Sequence, residues 1–298
     1  MSNQDETLLT KAATIASRLC LLAAILLIAF FLPLTSFFPR TAYGPILHEE
    51  QSEFSLIRIR GNETKRHLLF VSDSGREGLQ STIDLNEPGT LQVAYTQTLF
   101  ASHLLKHPQD RVLIVGLGGG GMVRFLAENF PETQVEVVEI DPVVVRLADQ
   151  YFETREEGNI RIHTLDAFKF LASDTGPFDV IYMDAFLRPS VDSDPGSKTA
   201  RLKTVEFLET IEHRLNSGGV LACNLITHRE STPADIASLK EVFSTVKQVA
   251  VPGSGNLVVL GTQKPHLYTA EEWSELGEAL ANKLPVGLPF GEFAKRIH

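Results

Sequence analysis

The sequence predicts an α/β protein whose main domain contains one mostly parallel, seven-stranded sheet, preceded by a small β module and an N-terminal transmembrane helix. Three observations predict this class. From residue 111 onwards, apolar stretches with the length of buried strands alternate with stretches of helical spacing. A pair of strand-like stretches joined by a glycine-rich turn ends that region at 245–263. Residues 19–38 carry no charge over about 20 positions, which is the length that crosses a bilayer.

The uncharged N-terminal run favours a membrane anchor over a signal peptide. It is longer than the apolar core of a usual signal peptide, and no clear cleavage site of small residues follows it. Cys20 lies at the start of the run, a position that does not suit a lipoprotein. We therefore expect a tail at 1–18 and a single transmembrane helix at 19–38, with a cleaved signal peptide as the alternative.

Residues 50–88 predict the small β module. The stretch at 54–60 alternates apolar and polar residues, as a half-buried strand does, and 66–73 has the composition of a second strand. A turn and a third strand follow up to residue 85, and the sequence Asn-Glu-Pro-Gly at 86–89 closes the module.

Residues 93–265 predict the α/β domain, which begins with a helix at 93–106. Alternation of strands and helices predicts a parallel, doubly wound sheet. The terminal hairpin adds one antiparallel strand, an ending typical of the Rossmann-like methyltransferase sheet rather than of a plain dinucleotide fold. A C-terminal helical extension at 266–298 contains a helix at 269–283. The predicted strands lie at 111–117, 134–140, 160–165, 178–183, 218–226, 245–252 and 257–263, and the helices between them at 121–130, 142–152, 204–215 and 234–243.

Charge and composition narrow the range of partners. The chain of 298 residues has a formal net charge of −10 at pH 7 and no lysine and arginine cluster, so we expect no nucleic-acid partner. The two cysteines, Cys20 and Cys223, are too few for a disulfide framework or a cysteine-rich zinc site. His103 and His107 have helical spacing but no evident third ligand, so we expect no metal site.

The sequence RVLIVGLGGGGM at 111–122 places a glycine-rich loop between a predicted strand and a predicted helix. Gly116, Gly118 and Gly120 would let the backbone approach a ligand closely, and the start of the helix offers free N–H groups. The lysine that a nucleoside triphosphatase needs is missing after the glycines, and no serine nucleophile elbow is present. The loop alone is also compatible with a tight structural turn.

Three acids end successive predicted strands and give this loop a chemical context. Glu139 lies about 20 residues beyond the loop, where an acid meets ribose hydroxyls in nucleoside-binding folds. At the same edge of the sheet, Asp166 could accept from an adenine amine and Asp184 could orient or deprotonate an attacking amine. Solvated strand ends and helix caps are the structural alternatives. We expect Asp179 at the surface and Phe168 in a helix core rather than stacked on a base.

In order and spacing these residues resemble the spermidine synthase family, especially its bacterial membrane-linked branch, over roughly residues 54–263. The family has a Gln at the end of an LDGxxQ-like stretch, and REGLQ here ends at Gln80. Its Tyr-His-Glu-like stretch corresponds to Tyr-Thr-Gln, with Tyr95 and Gln97. Its GGGDGG-like loop corresponds to GLGGGG at 116–121, and the strand-end acids follow in the family's order.

The resemblance implies a transferase that moves an aminopropyl group to a small-molecule amine. The donor would be decarboxylated S-adenosylmethionine or S-adenosylmethionine, and a sulfonium is already a good leaving group, so no metal is implied. Spermidine synthases are commonly dimers or tetramers, which makes a homo-oligomer possible. The implied site consists of Asp184 as the catalytic base, Gln80, Gly116, Gly118, Gly120, Glu139 and Asp166 around the donor, and Tyr95 and Gln97 around the acceptor.

Three departures from the family pattern concern acids that face amines. The family's loop acid is Gly119 here, the acid after Tyr-His is Gln97, and the second acid of strand four aligns with Leu187. Each lost charge-assisted hydrogen bond is worth about 1.5–3 kcal/mol. S-adenosylmethionine-dependent methyl transfer to an unknown acceptor is therefore an alternative, and a non-catalytic nucleoside-binding or membrane-assembly module is another. The terminal hairpin argues against NAD-dependent redox chemistry.

The implied function and the charges around the anchor give conflicting locations. A cytosolic donor requires the catalytic domain to be cytoplasmic, at the bacterial inner membrane. Lys11 and Arg18 precede the apolar run, and Arg40 and Arg58 follow it. By the positive-inside rule, these charges lean weakly towards an internal N-terminus, which would place the domain outside.

Overall fold

Two sheets dominate the described part of the chain, which in this computed structural model comprises residues 42–173, 176–185 and 204–298. The first sheet is the small module. Its buried Ile57 and Ile59 flank Arg58, which is partly exposed and pairs with Glu77. This alternation is typical of a sheet with one buried face. The strands, antiparallel and adjacent in chain order, are β1 Ile46–Gln51, β2 Leu56–Gly61, β3 Lys65–Val71 and β4 Glu77–Asp84.

The second sheet has seven strands. They are β5 Arg111–Val115, β6 Gln134–Glu139, β7 Ile160–Thr164, β8 Phe178–Met183, β9 Leu215–Ile226, β10 Thr245–Ala250 and β11 Asn256–Thr262. Their order is β10-β11-β9-β8-β5-β6-β7. Strand β11 is antiparallel to both neighbours, and all other neighbouring pairs are parallel. The predicted α/β class with a mostly parallel sheet and a terminal hairpin is confirmed.

The helices cover both faces of this sheet or extend beyond it. The helix predicted at 93–106 is shorter, because a 3₁₀ turn at Phe100–Leu104 follows its first six residues. The sequence analysis did not predict β1 or the helix Phe290–Arg296, and it gave no bounds for the helix expected around Phe168, which spans Ala167–Ala172. The helices are α1 Ala94–Leu99, α2 Gly121–Asn129, α3 Pro142–Phe152, α4 Ala167–Ala172, α5 Val205–Glu212, α6 Thr232–Val242, α7 Ala270–Lys283 and α8 Phe290–Arg296.

The order of the strands determines where a ligand can bind. Strand β6 lies on one side of β5 and β8 on the other, so the chain runs outwards from β5 through β6 and β7 and then crosses back to β8. Such a switch point opens a crevice at the carboxyl edge of the sheet. Residues 80–82 of β4 also line this crevice, so the small module forms part of its wall.

The opposite edge of the same sheet is closed by Asp179, and the expectation that this residue lies at the surface is wrong. Asp179 is buried at the start of β8. Its Oδ2 accepts the backbone N–H of Asp110 at 2.9 Å and that of Arg111 at 3.1 Å, and its Oδ1 accepts from Nδ2 of Asn216 at 2.9 Å. Nζ of Lys106 lies 3.2 Å from Oδ1. The carboxylate therefore ties the starts of β5, β8 and β9 together.

The predicted tail at 1–18 and the predicted transmembrane segment at 19–38 lie outside the described residues, as does Leu187. Within the described ranges, no helix combines the length and the apolar composition needed to cross a membrane.

Candidate active site

The glycine loop follows β5 and packs against the end of β8. Gly116 has a φ of +98°, and a Cβ there would lie 2.5 Å from the carbonyl oxygen of Asp184. A side chain at this position would strain the backbone and push the two strand ends apart. Gly118 has a φ of +54°, and Gly116, Gly118 and Gly120 all line one pocket. Apart from Leu117, the loop therefore presents only backbone to this pocket.

Gly119 differs from these three glycines in its backbone, because its φ is not positive, and the space beside it is filled by two side chains from elsewhere in the chain. A Cβ at this position would lie 2.7 Å from Cδ1 of Phe152 and 2.8 Å from Oγ of Ser81. Arg124 donates to the carbonyl oxygens of Gly119 and Phe152 and so fixes the loop against the end of α3. The loop acid of the family is therefore replaced by different packing: Ser81 and Phe152 occupy the place where its side chain would begin.

Glu139 ends β6 with its carboxylate held by the backbone. Oε2 accepts the N–H of Leu117 at 2.9 Å, and Oε1 accepts the N–H of Asp141 at 2.9 Å. Burial raises the pKa of this carboxyl, and the two backbone hydrogen bonds oppose the rise. Each carboxylate oxygen has a second lone pair, so the group can still accept from two vicinal hydroxyls.

Two aspartates at the starts of helices line the same pocket. Asp141 caps α3 by accepting the N–H of Val143 at 2.9 Å, and Asp166 caps α4 by accepting the N–H of Phe168 at 2.9 Å. Asp166 therefore caps a helix, as the structural alternative expected, and also lines the pocket. Phe168 packs against Phe207, with ring centroids 4.3 Å apart, and also lines the pocket, so the helix-core interpretation describes only part of its surroundings.

Asp184 follows β8 and accepts hydrogen bonds from two neutral donors. The hydroxyl of Tyr95 donates to Oδ2 at 3.1 Å, and Nδ2 of Asn224 donates to Oδ1 at 3.0 Å. Burial raises the pKa of Asp184 from its ordinary 3.8 to about 7, and the two hydrogen bonds oppose that rise. Burial, reinforced by the carboxylate, raises the pKa of Tyr95 as well, so the phenol remains a donor. A carboxyl that titrates near neutral pH is suited to exchanging a proton with an amine.

The structure brings together all but one of the predicted site residues. Gln97 is the exception: its Nε2 donates to the carbonyl oxygen of Leu91 at 2.7 Å, and it does not line the pocket. It lies two positions from Tyr95 on α1, and residues two apart on a helix face different directions. The predicted residues that line one pocket are Gln80, Tyr95, Gly116, Gly118, Gly120, Glu139, Asp166 and Asp184.

Several residues in this pocket or directly behind it were not anticipated from the sequence. Asn224, which contacts Asp184, is buried in β9, within the otherwise apolar stretch VLACNLI. A polar residue in a buried strand needs a hydrogen-bond partner, and that signal could have identified it. Phe54 and Ser81 come from the small module, and nothing in their local sequence indicated a role in the pocket.

The charged groups around the pocket have one sign. Among the described residues that line it, four are acidic and none is a lysine, arginine or histidine. Such a lining attracts a cationic ligand and disfavours a phosphate. The four acids are Glu139, Asp141, Asp166 and Asp184.

The strand order, the bare glycine loop and the strand-end acids together define a nucleoside-binding α/β protein of the Rossmann-like methyltransferase type. Residues 92–258 match the model of the spermine/spermidine synthase domain. The chain belongs to the spermidine synthase family.

Similar proteins include both aminopropyltransferases and methyltransferases. The chain is 32% identical to a polyamine aminopropyltransferase from Vibrio vulnificus, over 80% of this chain and 79% of that protein. It is 33% identical to an eEF1A lysine and N-terminal methyltransferase from Xenopus laevis, over 67% of this chain but 36% of that protein. The fold is similar to the crystal structure of a probable spermidine synthase from Corynebacterium glutamicum, with a TM-score of 0.63, 24% identity, and coverage of 82% of this chain and 89% of that one.

Proposed function

We propose that this protein transfers an aminopropyl group from a sulfonium adenosine donor to an amine, with Asp184 as the base. The observation that carries the proposal is the pocket with four carboxyl groups and no basic side chain among its described lining residues. Both the sulfonium and an amine acceptor are cationic in solution, so this lining favours both. Family membership and similarity to a polyamine aminopropyltransferase support the same reaction.

The pocket residues have separate roles in this proposal. Glu139 accepts the ribose hydroxyls, and Asp166 accepts the exocyclic amine of the adenine. Gln80 and the backbone of Gly116, Gly118 and Gly120 enclose the donor. These contacts position the carbon attached to sulfur in line with the acceptor nitrogen, and such positioning supplies most of the rate of a bimolecular transfer.

Asp184 and Tyr95 act on the acceptor. As the N–C bond forms, the C–S bond breaks and its electron pair stays on sulfur, which becomes a neutral thioether. An ammonium nitrogen has no free electron pair, so before the N–C bond forms the acceptor loses one proton, which Asp184 accepts through a carboxylate oxygen. With its pKa of about 7, Asp184 is largely ionised above neutral pH and is more basic than an ordinary carboxylate. The hydroxyl of Tyr95 donates to Oδ2 of that carboxylate and holds it in place.

Methyl transfer from S-adenosylmethionine is the second candidate, and Gly119 is the observation that favours it. At this loop position Phe152 and Ser81 fill the space in which the family has an acid for the amine of the donor tail. A neutral loop tolerates the carboxylate of intact S-adenosylmethionine better than an acidic loop does. Similarity to a lysine and N-terminal methyltransferase supports the same alternative.

The two candidates release different products, and this separates them. The purified full chain is incubated with either decarboxylated S-adenosylmethionine or S-adenosylmethionine and a panel of mono- and diamines, and the nucleoside product is identified by mass spectrometry. Aminopropyl transfer releases 5′-methylthioadenosine, whereas methyl transfer releases S-adenosylhomocysteine. We expect 5′-methylthioadenosine, and release of neither product above the rate without enzyme would contradict both candidates.

The location is also part of the proposal: residues 19–38 anchor the protein to the bacterial inner membrane and the catalytic domain faces the cytoplasm. The uncharged length of the segment and the cytosolic source of the donor support this arrangement. Protease treatment of sealed inverted membrane vesicles tests it. We expect cleavage of the catalytic domain without detergent, and protection until detergent is added would contradict the orientation.

A further inference from the structure

A chain of hydrogen bonds leads from Asp184 away from the pocket and across the antiparallel end of the sheet. Asn224 on β9 donates to Asp184, and its Oδ1 accepts from Nδ2 of Asn256 on β11 at 2.9 Å. Oδ1 of Asn256 in turn accepts from the hydroxyl of Ser254, in the turn between β10 and β11. Asn224 is only 4% exposed, so water cannot easily replace its own two partners, whereas the bond between Ser254 and Asn256 lies at the surface.

The direction of this chain is fixed by the charge at its end. An ionised carboxylate only accepts hydrogen bonds, so Asn224 must turn its NH₂ group towards Asp184. Its oxygen then faces Asn256, which must supply an NH₂ group as well, and Ser254 completes the series as a hydroxyl donor. A protonated Asp184 would still accept from Asn224 through its carbonyl oxygen, but that hydrogen bond would be weaker than one to a carboxylate. The arrangement therefore favours the ionised form.

We infer that Asn224 and Asn256 are positioning residues, which act through Asp184 to hold it as an oriented, ionised hydrogen-bond acceptor facing the pocket. The catalytic meaning of this inference rests on the proposed function, in which Asp184 is the base. The contacts themselves do not depend on the identity of the acceptor. They also assign a function to the terminal hairpin, because β11 supplies Asn256 from outside the parallel part of the sheet.

Other groups near Asp184 act on it less directly. Among the described residues, Tyr95 on α1 is the titratable group that contacts it, and the hydroxyl donates in the same sense as Asn224. No lysine, arginine or histidine of the described ranges lines the pocket, so no cation there duplicates the effect of the amides. The remaining titratable groups nearby are Glu139, Asp141 and Asp166 in the pocket wall and His228, whose ring lies beside Gly255 in the turn.

The test measures the pKa of Asp184 directly in the full chain, by NMR of ¹³C-carboxyl-labelled aspartate with the Asp184→Asn variant as the assignment control. The Asn224→Leu variant removes the donor while filling its space. We expect the pKa of Asp184 to rise by about one to two pH units, the effect of losing one hydrogen bond to a charged group. The matched control is Asn216→Leu, which removes the corresponding donor to Asp179 at the other end of the same two strands. It should leave the pKa of Asp184 unchanged.

A second variant tests the role of Asn256 and remains informative if Asn224→Leu does not fold. Asn256→Leu frees the amide of Asn224 to turn, so we expect a smaller rise in the pKa of Asp184, of about half a pH unit. Because Asn256 acts only through Asn224, the double variant should match Asn224→Leu alone rather than show the sum of the two effects.

The inference fails if Asn224→Leu or Asn256→Leu leaves the pKa of Asp184 unchanged, or if Asn216→Leu shifts it as much. It also fails if the pKa shift of Asp184 in the double variant equals the sum of the shifts in the two single variants. These outcomes are independent of the proposed function, because the NMR measurement needs no donor or acceptor. If turnover is found, the same variants should move the acid limb of the rate against pH to higher pH by the shift measured for Asp184.

Discussion

Strand β8 carries an aspartate at each end, and the protein sets the two carboxyls in opposite ways. Burial alone would raise the pKa of Asp179, but hydrogen bonds from Asn216, from two backbone amides and from Lys106 hold it below its ordinary value. At the other end, burial raises the pKa of Asp184 to about 7, and the neutral donors Tyr95 and Asn224 only moderate the rise. The same residue type on the same strand thus has two electrostatic states.

The difference shows that one edge of the sheet carries a carboxylate that stabilises the fold, whereas the other carries a carboxyl suited to proton transfer. At its amino edge the carboxylate meets backbone N–H groups and a cation, and the bonds close the fold around it. At its carboxyl edge the carboxyl is buried without a cation among the described pocket residues, which lowers stability but leaves a group that can exchange protons near neutral pH. Strand β9 repeats the contrast with two asparagines, Asn216 at one edge and Asn224 at the other.

The largest expected effect follows from removing the base at the carboxyl edge. Asp184→Asn keeps the shape of the side chain and loses its basicity, so turnover should fall by about a thousandfold. Affinity for 5′-methylthioadenosine, measured by calorimetry, should stay within about threefold, since the nucleoside contacts are elsewhere. Asp179→Asn is the control and should keep the turnover of the folded fraction. Equal losses of turnover in Asp184→Asn and Asp179→Asn would contradict the proposed difference between the two edges of the sheet.

The next effect concerns the nucleoside. Glu139→Gln replaces one acceptor oxygen by a donor, so the dissociation constant of 5′-methylthioadenosine should rise by about 10- to 100-fold, as expected for one lost charge-assisted hydrogen bond. Calorimetry of the full chain measures it. Glu136→Gln is the matched control, since Glu136 lies on the same strand and bonds His163 instead of lining the pocket. Unchanged affinity in Glu139→Gln would remove this residue from the site.

The raised pKa of Asp184 also predicts a pH dependence of stability. In the unfolded chain the group titrates near 3.8 and in the folded chain near 7, so the folded state binds the extra proton between these values. The wild type should therefore lose stability relative to Asp184→Asn as the pH rises from about 4 to about 7, by on the order of 2–4 kcal/mol in total. Urea denaturation at pH 6 and pH 8 measures the free energy of unfolding of Asp184→Asn minus that of the wild type. This difference should increase towards pH 8, and a decrease would contradict the raised pKa.

The smallest effect is expected at the amino edge of the sheet, where the stabilisation by the carboxylate changes with pH in the direction opposite to that of Asp184. Asp179→Asn should destabilise the protein by about 1–3 kcal/mol at pH 7, because buried donors lose an ionised acceptor. The pKa of Asp179 is lowered, so its contribution is present above the ordinary value and is lost as the pH falls through the folded value. The destabilisation should therefore shrink in acid. A difference between wild type and variant that grows in acid urea titrations would rule out this account of Asp179.

The strand-end acids were predictable from the sequence, whereas their partners were not. Glu139, Asp166 and Asp184 follow apolar stretches, and parallel strands bring such ends to one edge. Asn224 contacts Asp184 because β9 lies parallel beside β8, and Asn256 contacts Asn224 because β11 inserts antiparallel beside β9; no local pattern specifies either pairing. The sequence thus predicts which carboxyls meet, and the tertiary structure determines how each is held.

For the glycine loop too, the sequence predicts the position of the loop but not the tertiary contacts of a single residue in it. Its position after a strand and its bare backbone were readable from the sequence. The meaning of Gly119 was not, because Phe152 from α3 and Ser81 from β4 approach it from distant parts of the chain. Gln97 is similar, since a hydrogen bond to Leu91 rather than its place in the motif determines where its side chain lies.

The central claim is that the carboxyl edge binds a sulfonium nucleoside, and calorimetry of the purified full chain tests it most directly. The titrants are decarboxylated S-adenosylmethionine, S-adenosylmethionine and 5′-methylthioadenosine. We predict one binding event per chain for at least one of them, with decarboxylated S-adenosylmethionine bound more tightly than S-adenosylmethionine if aminopropyl transfer is the reaction. Absence of binding by all three at millimolar concentration would contradict the claim.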